Sequence, residues 1–325
     1  MRNKNKSLEL KNGNKRGKEM EISKNKVIAL LVVVVFMFSA FSLPVTPTAG
    51  VQGKVVFMTT LGSEGYGIRL YENQRIKVLS DNGMYPRWSL EGNKIAFLSQ
   101  DQYGYKTRIK VFNQQGKQIS ELQTKNPPKA FAWFPKGNKL AVIEAEQTVN
   151  TIIYNIVTYN VDSGERKQIT QYDGGIYINS IDVAPNGNKI LFSMRKFTQE
   201  HFDSYVMNAD GTEQQLVYKN ATSGRFSPNG KKAAFVVSAY RSLRDLYVYD
   251  FKTERSDLVG NAWGGKGGIC FSPEGDKILF SKIGEGAGVL YELDINKKQI
   301  RKVLTPAGLA KLKTDSYPDW SATKK

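Results

Sequence analysis

The sequence predicts an all-β fold, a six-bladed β-propeller, on three observations. A motif recurs five times at near-constant spacing, half-copies of it stand at both ends of the same region, and the composition can bury a core. Five segments align without gaps: Pro86–Phe97 (PRWSLEGNKIAF), Phe131–Val142 (FAWFPKGNKLAV), Ile181–Phe192 (IDVAPNGNKILF), Gly224–Phe235 (GRFSPNGKKAAF) and Ile269–Phe280 (ICFSPEGDKILF). Their shared glycines, Gly92, Gly137, Gly187, Gly230 and Gly275, lie 45, 50, 43 and 45 residues apart. That period is the length of a four-stranded propeller blade. With 24% charged and 11% aromatic residues, the chain is not a disordered polyelectrolyte.

The elements of a blade follow from the motif in order. A short strand ends on a bulky residue: Trp88, Trp133, Phe226 or Phe271. In the turn that follows, Pro presets φ and Gly takes the φ > 0 that a Cβ resists. The next strand carries apolar triplets such as Ile95-Ala96-Phe97, Ile190-Leu191-Phe192 and Ile278-Leu279-Phe280. A strand apolar on both faces is expected where neighbouring sheets cover both sides. Third strands are predicted over Arg108–Phe112, Ile153–Tyr159, Ser204–Met207, Asp245–Tyr249 and Val289–Leu293. Polar turns such as Asp162-Ser163-Gly164 and Asp210-Gly211 then lead to a fourth, more polar strand, as in Gln168–Thr170 and Ile300–Leu304.

The half-copies complete the count. Tyr317–Ser321 (YPDWS) repeats the first strand of the motif, and Gly53–Phe57 (GKVVF) repeats the second. Ile68–Tyr71 and Ile76–Leu79 supply the third and fourth. One blade is thereby shared between the N- and C-terminal strands, which closes the ring and leaves no open sheet edge. The propeller is set at residues 53–325, enough chain to bury about three quarters of its unfolded surface.

Ahead of it, residues 1–26 hold nine Lys/Arg against three Glu and read as a basic cytoplasmic n-region. Residues 27–43 carry no charge at all. As a helix this run spans about 25 Å, short of the roughly 30 Å hydrocarbon core. It reads as a signal-peptide core or a transmembrane anchor, with residues 44–52 as a linker. The basic flank keeps its own end inside, so the propeller is exported. Translation starts at Met1 or at Met20, which precedes an ordinary n-region. Of the formal charge of +17, six units belong to residues 1–26, leaving +11 on the rest. Such a surface attracts anionic envelope polymers or lipid, while export argues against nucleic acid.

The pattern W/F-S-P-x-G-x-K-I-x-F, with I/L-Y-V-x-D downstream, resembles the repeats of the TolB-type six-bladed propeller. The resemblance covers residues 53–325. It implies an exported propeller module, one that also occurs beneath prolyl-oligopeptidase-type hydrolases. Two departures limit what is carried over. The family's translocation protein has an α/β domain ahead of its propeller, and here the first strand begins ten residues after the apolar run. The hydrolases place their triad on a separate domain, and no G-x-S-x-G occurs in this sequence. The expectation is a propeller standing alone.

Few residues suggest chemistry. A single cysteine, Cys270, forbids an intramolecular disulfide and a Cys-rich zinc site, and a single histidine, His201, forbids His-pair metal motifs. His201 falls in the loop between the second and third strands of its blade and reads as solvent-exposed. Gly264–Gly268 lacks the G-K-[ST] ending of a phosphate loop and reads as a connection between blades. No metal or cofactor is called for, and the chain is read as a binding protein rather than an enzyme.

One constellation has more content. The residues just before the bulky position of each blade are Arg87, Ala132, Asp182, Arg225, Cys270 and Asp319. They are expected at one depth on the innermost strands, facing the channel. Asp182 with Arg225, and Asp319 with Arg87, would form two separate ion pairs on opposite sides of the ring. Such pairs serve either only to fix the register of the blades, at little net gain in stability, or, lining the channel mouth, as candidate binding residues. Tyr85 and Tyr317, at equivalent positions on the approaches, suit either a contact surface or packing between blades. The function expected is that of a monomeric, extracytoplasmic cell-envelope binding or scaffold propeller, held at the membrane if its leader is retained. Its partner is an envelope protein or an anionic envelope polymer. The alternative is a hydrolase or lyase acting on envelope peptide or glycan.

Overall fold

A computed structural model describes residues 53–60, 65–73, 75–100, 107–238, 244–261, 268–281, 290–304 and 317–321. The leader, anchor and linker expected at 1–52 lie outside these residues, as does most of Gly264–Gly268. Among the described residues no helix is long and apolar enough to cross a membrane.

The strands arrange as six four-stranded antiparallel sheets. In chain order they begin with β1 (Lys54–Thr60), β2 (Tyr66–Glu72) and β3 (Arg75–Ser80). The next sheet is β4 (Met84–Trp88), β5 (Lys94–Gln100), β6 (Thr107–Asn113) and β7 (Gln118–Leu122). It is followed by β8 (Pro128–Trp133), β9 (Lys139–Gln147), β10 (Ile152–Asn160) and β11 (Arg166–Gln168). Then come β12 (Ile176–Val183), β13 (Lys189–Lys196), β14 (Asp203–Asn208) and β15 (Gln215–Tyr218). The fifth set is β16 (Ala221–Phe226), β17 (Lys232–Ser238), β18 (Arg244–Asp250) and β19 (Arg255–Asn261). The sixth is β20 (Ile269–Phe271), β21 (Lys277–Ser281), β22 (Leu290–Asp294) and β23 (Gln299–Leu304). Finally β24 (Asp319–Ser321) pairs antiparallel with β1, with Trp320 opposite Val55.

The core is divided among the sheets in a way that explains the motif. Six apolar clusters each draw residues from two neighbouring sheets. The second strand of every sheet is therefore covered twice, and Ile95–Phe97, Ile190–Phe192 and Ile278–Phe280 are buried throughout. Phe57, Phe97, Phe192, Phe235 and Phe280, at equivalent positions, are among the largest fully buried side chains. Burial of each contributes about 1.5–3 kcal/mol relative to exposure.

The turn glycines behave as the motif requires, with φ from 59° at Gly137 to 78° at Gly275. Each N–H closes a turn on the carbonyl three residues back, as Gly92 does on Ser89. A second reason for glycine is visible only here. A Cβ on Gly187, Gly230 or Gly275 would press within 3.2–3.4 Å of Pro135, Pro185 or Pro228 in the turn of the preceding blade. The turns nest, and their nesting forms one rim of the channel.

One expected strand is displaced. The fourth strand of the second motif's blade is Arg166–Gln168, not Gln168–Thr170. The N–H groups of Ile169 and Thr170 both donate to the Ile156 carbonyl, while the Thr170 hydroxyl accepts the Ile156 N–H. A side chain has taken over the ladder there, so the backbone leaves it two residues early.

Candidate functional site

The first strands of the sheets, β4, β8, β12, β16, β20 and β24, contact one another in succession. Their C-terminal ends and the turns after them enclose a cavity of about 270 Å³. All six residues of the expected ring, Arg87, Ala132, Asp182, Arg225, Cys270 and Asp319, line it, as do Trp88, Trp133 and Trp320 from the bulky positions. The rim carries Leu90, Pro185, Pro228 and Pro273.

The aim of the two arginines has a local cause. In β4 and β16 the pairing slips between Met84 and Arg87 and between Thr222 and Arg225. Tyr85 and Ser223, each two residues before the arginine, sit at φ of 53° and 55°. Such bulges turn the strand and re-aim the side chain after them. Nothing in the composition of these strands announces a left-handed Tyr or Ser, so the bulges were illegible in the sequence.

The charged residues form one chain across the channel, not two pairs on opposite sides. Arg225 Nε donates to the Ile269 carbonyl at 2.9 Å. That bond holds the guanidinium between two carboxylates, with Nη1 3.3 Å from Asp182 and Nη2 3.5 Å from Asp319. Arg87 Nη1 lies 3.9 Å from the same Asp182 oxygen. The expected Asp182–Arg225 pair is thus present. The expected Asp319–Arg87 pair is not among the ion pairs of the described residues. Asp319 instead accepts the Trp88 N–H at 2.6 Å, as Asp182 accepts the Phe226 N–H at 2.8 Å. Each aspartate so reaches the backbone of the next blade, and Arg225 joins the two across Cys270.

The electrostatics follow from enclosure. Burial pushes the Asp182 carboxyl up to about 7, against the pull of Arg87 and of the Phe226 N–H. Burial likewise pushes Asp319 up to about 6, with Arg87 and the Trp88 N–H acting against it. The Cys270 thiol is held well above its ordinary value by the same desolvation, which leaves it a poor nucleophile. The hydrogen-bonding capacity is unevenly used. Each aspartate oxygen has a donor, and Arg225 uses Nε and both Nη atoms. Arg87 Nη2 makes only a long contact of 3.4 Å to the Ile181 carbonyl. Its Nη1 is buried without a hydrogen-bond partner.

The other sequence candidates lie elsewhere. Tyr85 and Tyr317 meet edge-on, ring centres 4.5 Å apart, and neither lines the cavity. They pack across the boundary between neighbouring blades at the other end of the first strands. His201 is exposed, 3.9 Å from Glu200. Among the described residues no group of three or more His, Cys, Asp or Glu is placed to hold a metal ion. Sequence reasoning missed Leu90, a rim residue 54% exposed; its place where the motif has Pro was the available signal.

No family model and no curated protein matches the sequence. Solved structures do match the fold. TolB from Acinetobacter baumannii superposes with a TM-score of 0.67 at 16% identity, over 83% of this chain and 67% of that one. A chain of the nidogen/laminin complex gives 0.60 at 10% identity, over 83% of this chain and all of its own. Oligogalacturonate lyase in complex with manganese gives 0.56 at 11% identity, over 81% and 85%. At these identities the likeness is one of architecture, and the architecture is the six-bladed propeller that TolB shares.

Proposed function

We propose that this protein is an exported, non-catalytic binding propeller of the cell envelope, monomeric, which takes a partner at the channel mouth. In this reading residues 1–26 stay in the cytoplasm and 27–43 direct export or anchor the chain. Residues 44–52 link to a propeller whose ring is closed by the sheet that β24 shares with β1. The observation that carries it is the cavity itself. Its wall of charged groups, Arg87, Asp182, Arg225 and Asp319, lies under a rim of Leu90 and prolines. A concave site with an apolar edge and a few convergent polar groups is the ordinary form of a recognition site. The nidogen/laminin neighbour adds that this fold occurs in a protein–protein complex.

A crosslinking pull-down from an envelope extract, with the full chain as bait at low and high salt, tests the proposal. A discrete protein recovered at both salts, and lost with Leu90→Asp, is the expected result. Recovery of polymer or lipid at low salt only would reassign binding to the basic surface.

One observation favours the second reading, a hydrolase or lyase acting on envelope peptide or glycan. Asp182 and Asp319 face each other through Arg225, and Asp182 is raised toward neutrality, as acid–base catalysts often are. Against it, every oxygen of both carboxylates already accepts a bond. Turnover of a peptide or polyuronate that Asp182→Asn abolishes without unfolding the protein would favour the enzyme.

A further inference from the structure

The four charged residues of the channel mouth are not equivalent, and the difference identifies a ligand chemistry. Arg225 is anchored and doubly paired, and each oxygen of both aspartates already has one donor, from Arg225 or the backbone. Arg87 alone has capacity left. Its Nη1 is buried, has no hydrogen-bond partner and lies beyond hydrogen-bonding distance from Asp182. A buried donor left unmade is costly, more so when charged, so the site is incomplete as it stands.

Arg87 lines the cavity, and so does Ala132, the ring position between Arg87 and Asp182. A longer side chain at Ala132 would take up part of that cavity. Trp88 and Trp133 line it as well.

Resting on the reading of this mouth as a binding site, we infer that it takes a small monocarboxylate, its carboxylate accepting from Arg87 Nη1 beside Ala132. Charge decides the class. At neutral pH two arginines and two aspartates, Asp182 among them only partly ionised, leave the wall a net charge between zero and +1, which suits one negative charge better than two. One planar carboxylate edge matches the free edge of one guanidinium, and charge-assisted bonds of this kind are the strong ones. Size agrees: a cavity of about 270 Å³ is at the small end of small-molecule sites.

The test titrates the full-length chain at neutral pH with N-acetylalanine and with galacturonate. Each is compared with its uncharged counterpart, N-acetylalanine amide or galactose, and with inorganic phosphate. Binding is read by tryptophan fluorescence, since three tryptophans line the cavity. At least one acid is expected to bind saturably, its neutral counterpart and phosphate about tenfold or more weakly. Which acid binds tells whether a peptide end or a sugar acid carries the group. Arg87→Gln should lose the binding. Ala132→Leu, which changes no charge, should lose it too, and serves if Arg87→Gln does not fold. Equal binding of acid and neutral counterpart, tighter binding of phosphate, unchanged binding by either folded variant, or no binding of either acid overturns the inference. If the acids fail while Leu90→Asp still abolishes partner capture, the ligand chemistry is wrong and the binding reading stands.

Discussion

Replacing Arg225 with Met removes the cation between Asp182 and Asp319 and keeps most of the side chain's volume. Both carboxylates are about 85% buried, at 16% and 15% side-chain exposure. Each would keep a backbone donor, from Phe226 or Trp88, and the weaker pull of Arg87, 3.9 Å from Asp182. Removing one partner of such a buried group costs about 3–5 kcal/mol, because the remaining charge is stranded. The loss depends on pH with a definite sign. Both carboxyls are raised in the fold, so between about pH 4, where the unfolded chain ionises, and about pH 7 the folded state holds more protons. Stability from these groups therefore falls as pH rises through that window. Without Arg225 the folded values rise further, the window widens upward, and each added unit is worth about 1.4 kcal/mol. The variant should lose about 3–5 kcal/mol near pH 8 and only about 1 kcal/mol near pH 5, where protonation neutralises the stranded pair. Urea unfolding of wild type and variant at the two pH values, followed by tryptophan fluorescence, measures this. A loss under about 1 kcal/mol near pH 8, or one that does not change with pH, would refute the shared-cation argument.

Three further outcomes are expected. Gly83→Ala should destabilise by about 1–3 kcal/mol, read as a lower urea midpoint, because its Cβ would fall 2.5 Å from Ile68 and 2.8 Å from Phe97. Ser223→Gly should raise the midpoint slightly, by about 0.5–1 kcal/mol, since Ser223 is held at φ 55°; a lower midpoint would mean its side chain matters more than its backbone. Glu144→Ala should cost about 3–5 kcal/mol, because buried Glu144 takes the Tyr159 hydroxyl and two Arg166 nitrogens. Tyr159, pushed up to about 12 first by burial and then by its bond to Glu144, should then titrate lower yet still above an ordinary tyrosine. Tyrosinate absorbance follows that shift, and an unchanged titration would remove Glu144 from the account.

The site divides cleanly into what the repeat makes legible and what it does not. Arg87, Ala132, Asp182, Arg225, Cys270 and Asp319 were placed at one depth by counting one residue back from each bulky position, and all six line the cavity. Pairing was less accessible. Neighbours around the ring suggested two separate pairs, but Arg225 is tied to the Ile269 carbonyl and reaches both aspartates. A side chain of that length has several partners in range, and the choice rests on a backbone carbonyl of another blade. Tyr85 and Tyr317 hold equivalent places in the repeat, yet their edge-on contact places them in a blade boundary away from the charged wall.

By itself the sequence determined the repeat, the alternation of strand and turn, the doubly covered second strand and the identity of the ring residues. Each depends on local periodicity, on a glycine's freedom at positive φ, or on hydrophobic patterning within some fifty residues of chain. The bulges at Tyr85 and Ser223, the nesting of Gly187, Gly230 and Gly275 on the previous blade's proline, and the one arginine left with bonding capacity emerge only in the folded chain. The nesting and the bonding depend on distances between groups 40 or more residues apart, such as the 94 separating Arg225 from Asp319. No local pattern encodes such distances, because they are fixed only when all six sheets pack.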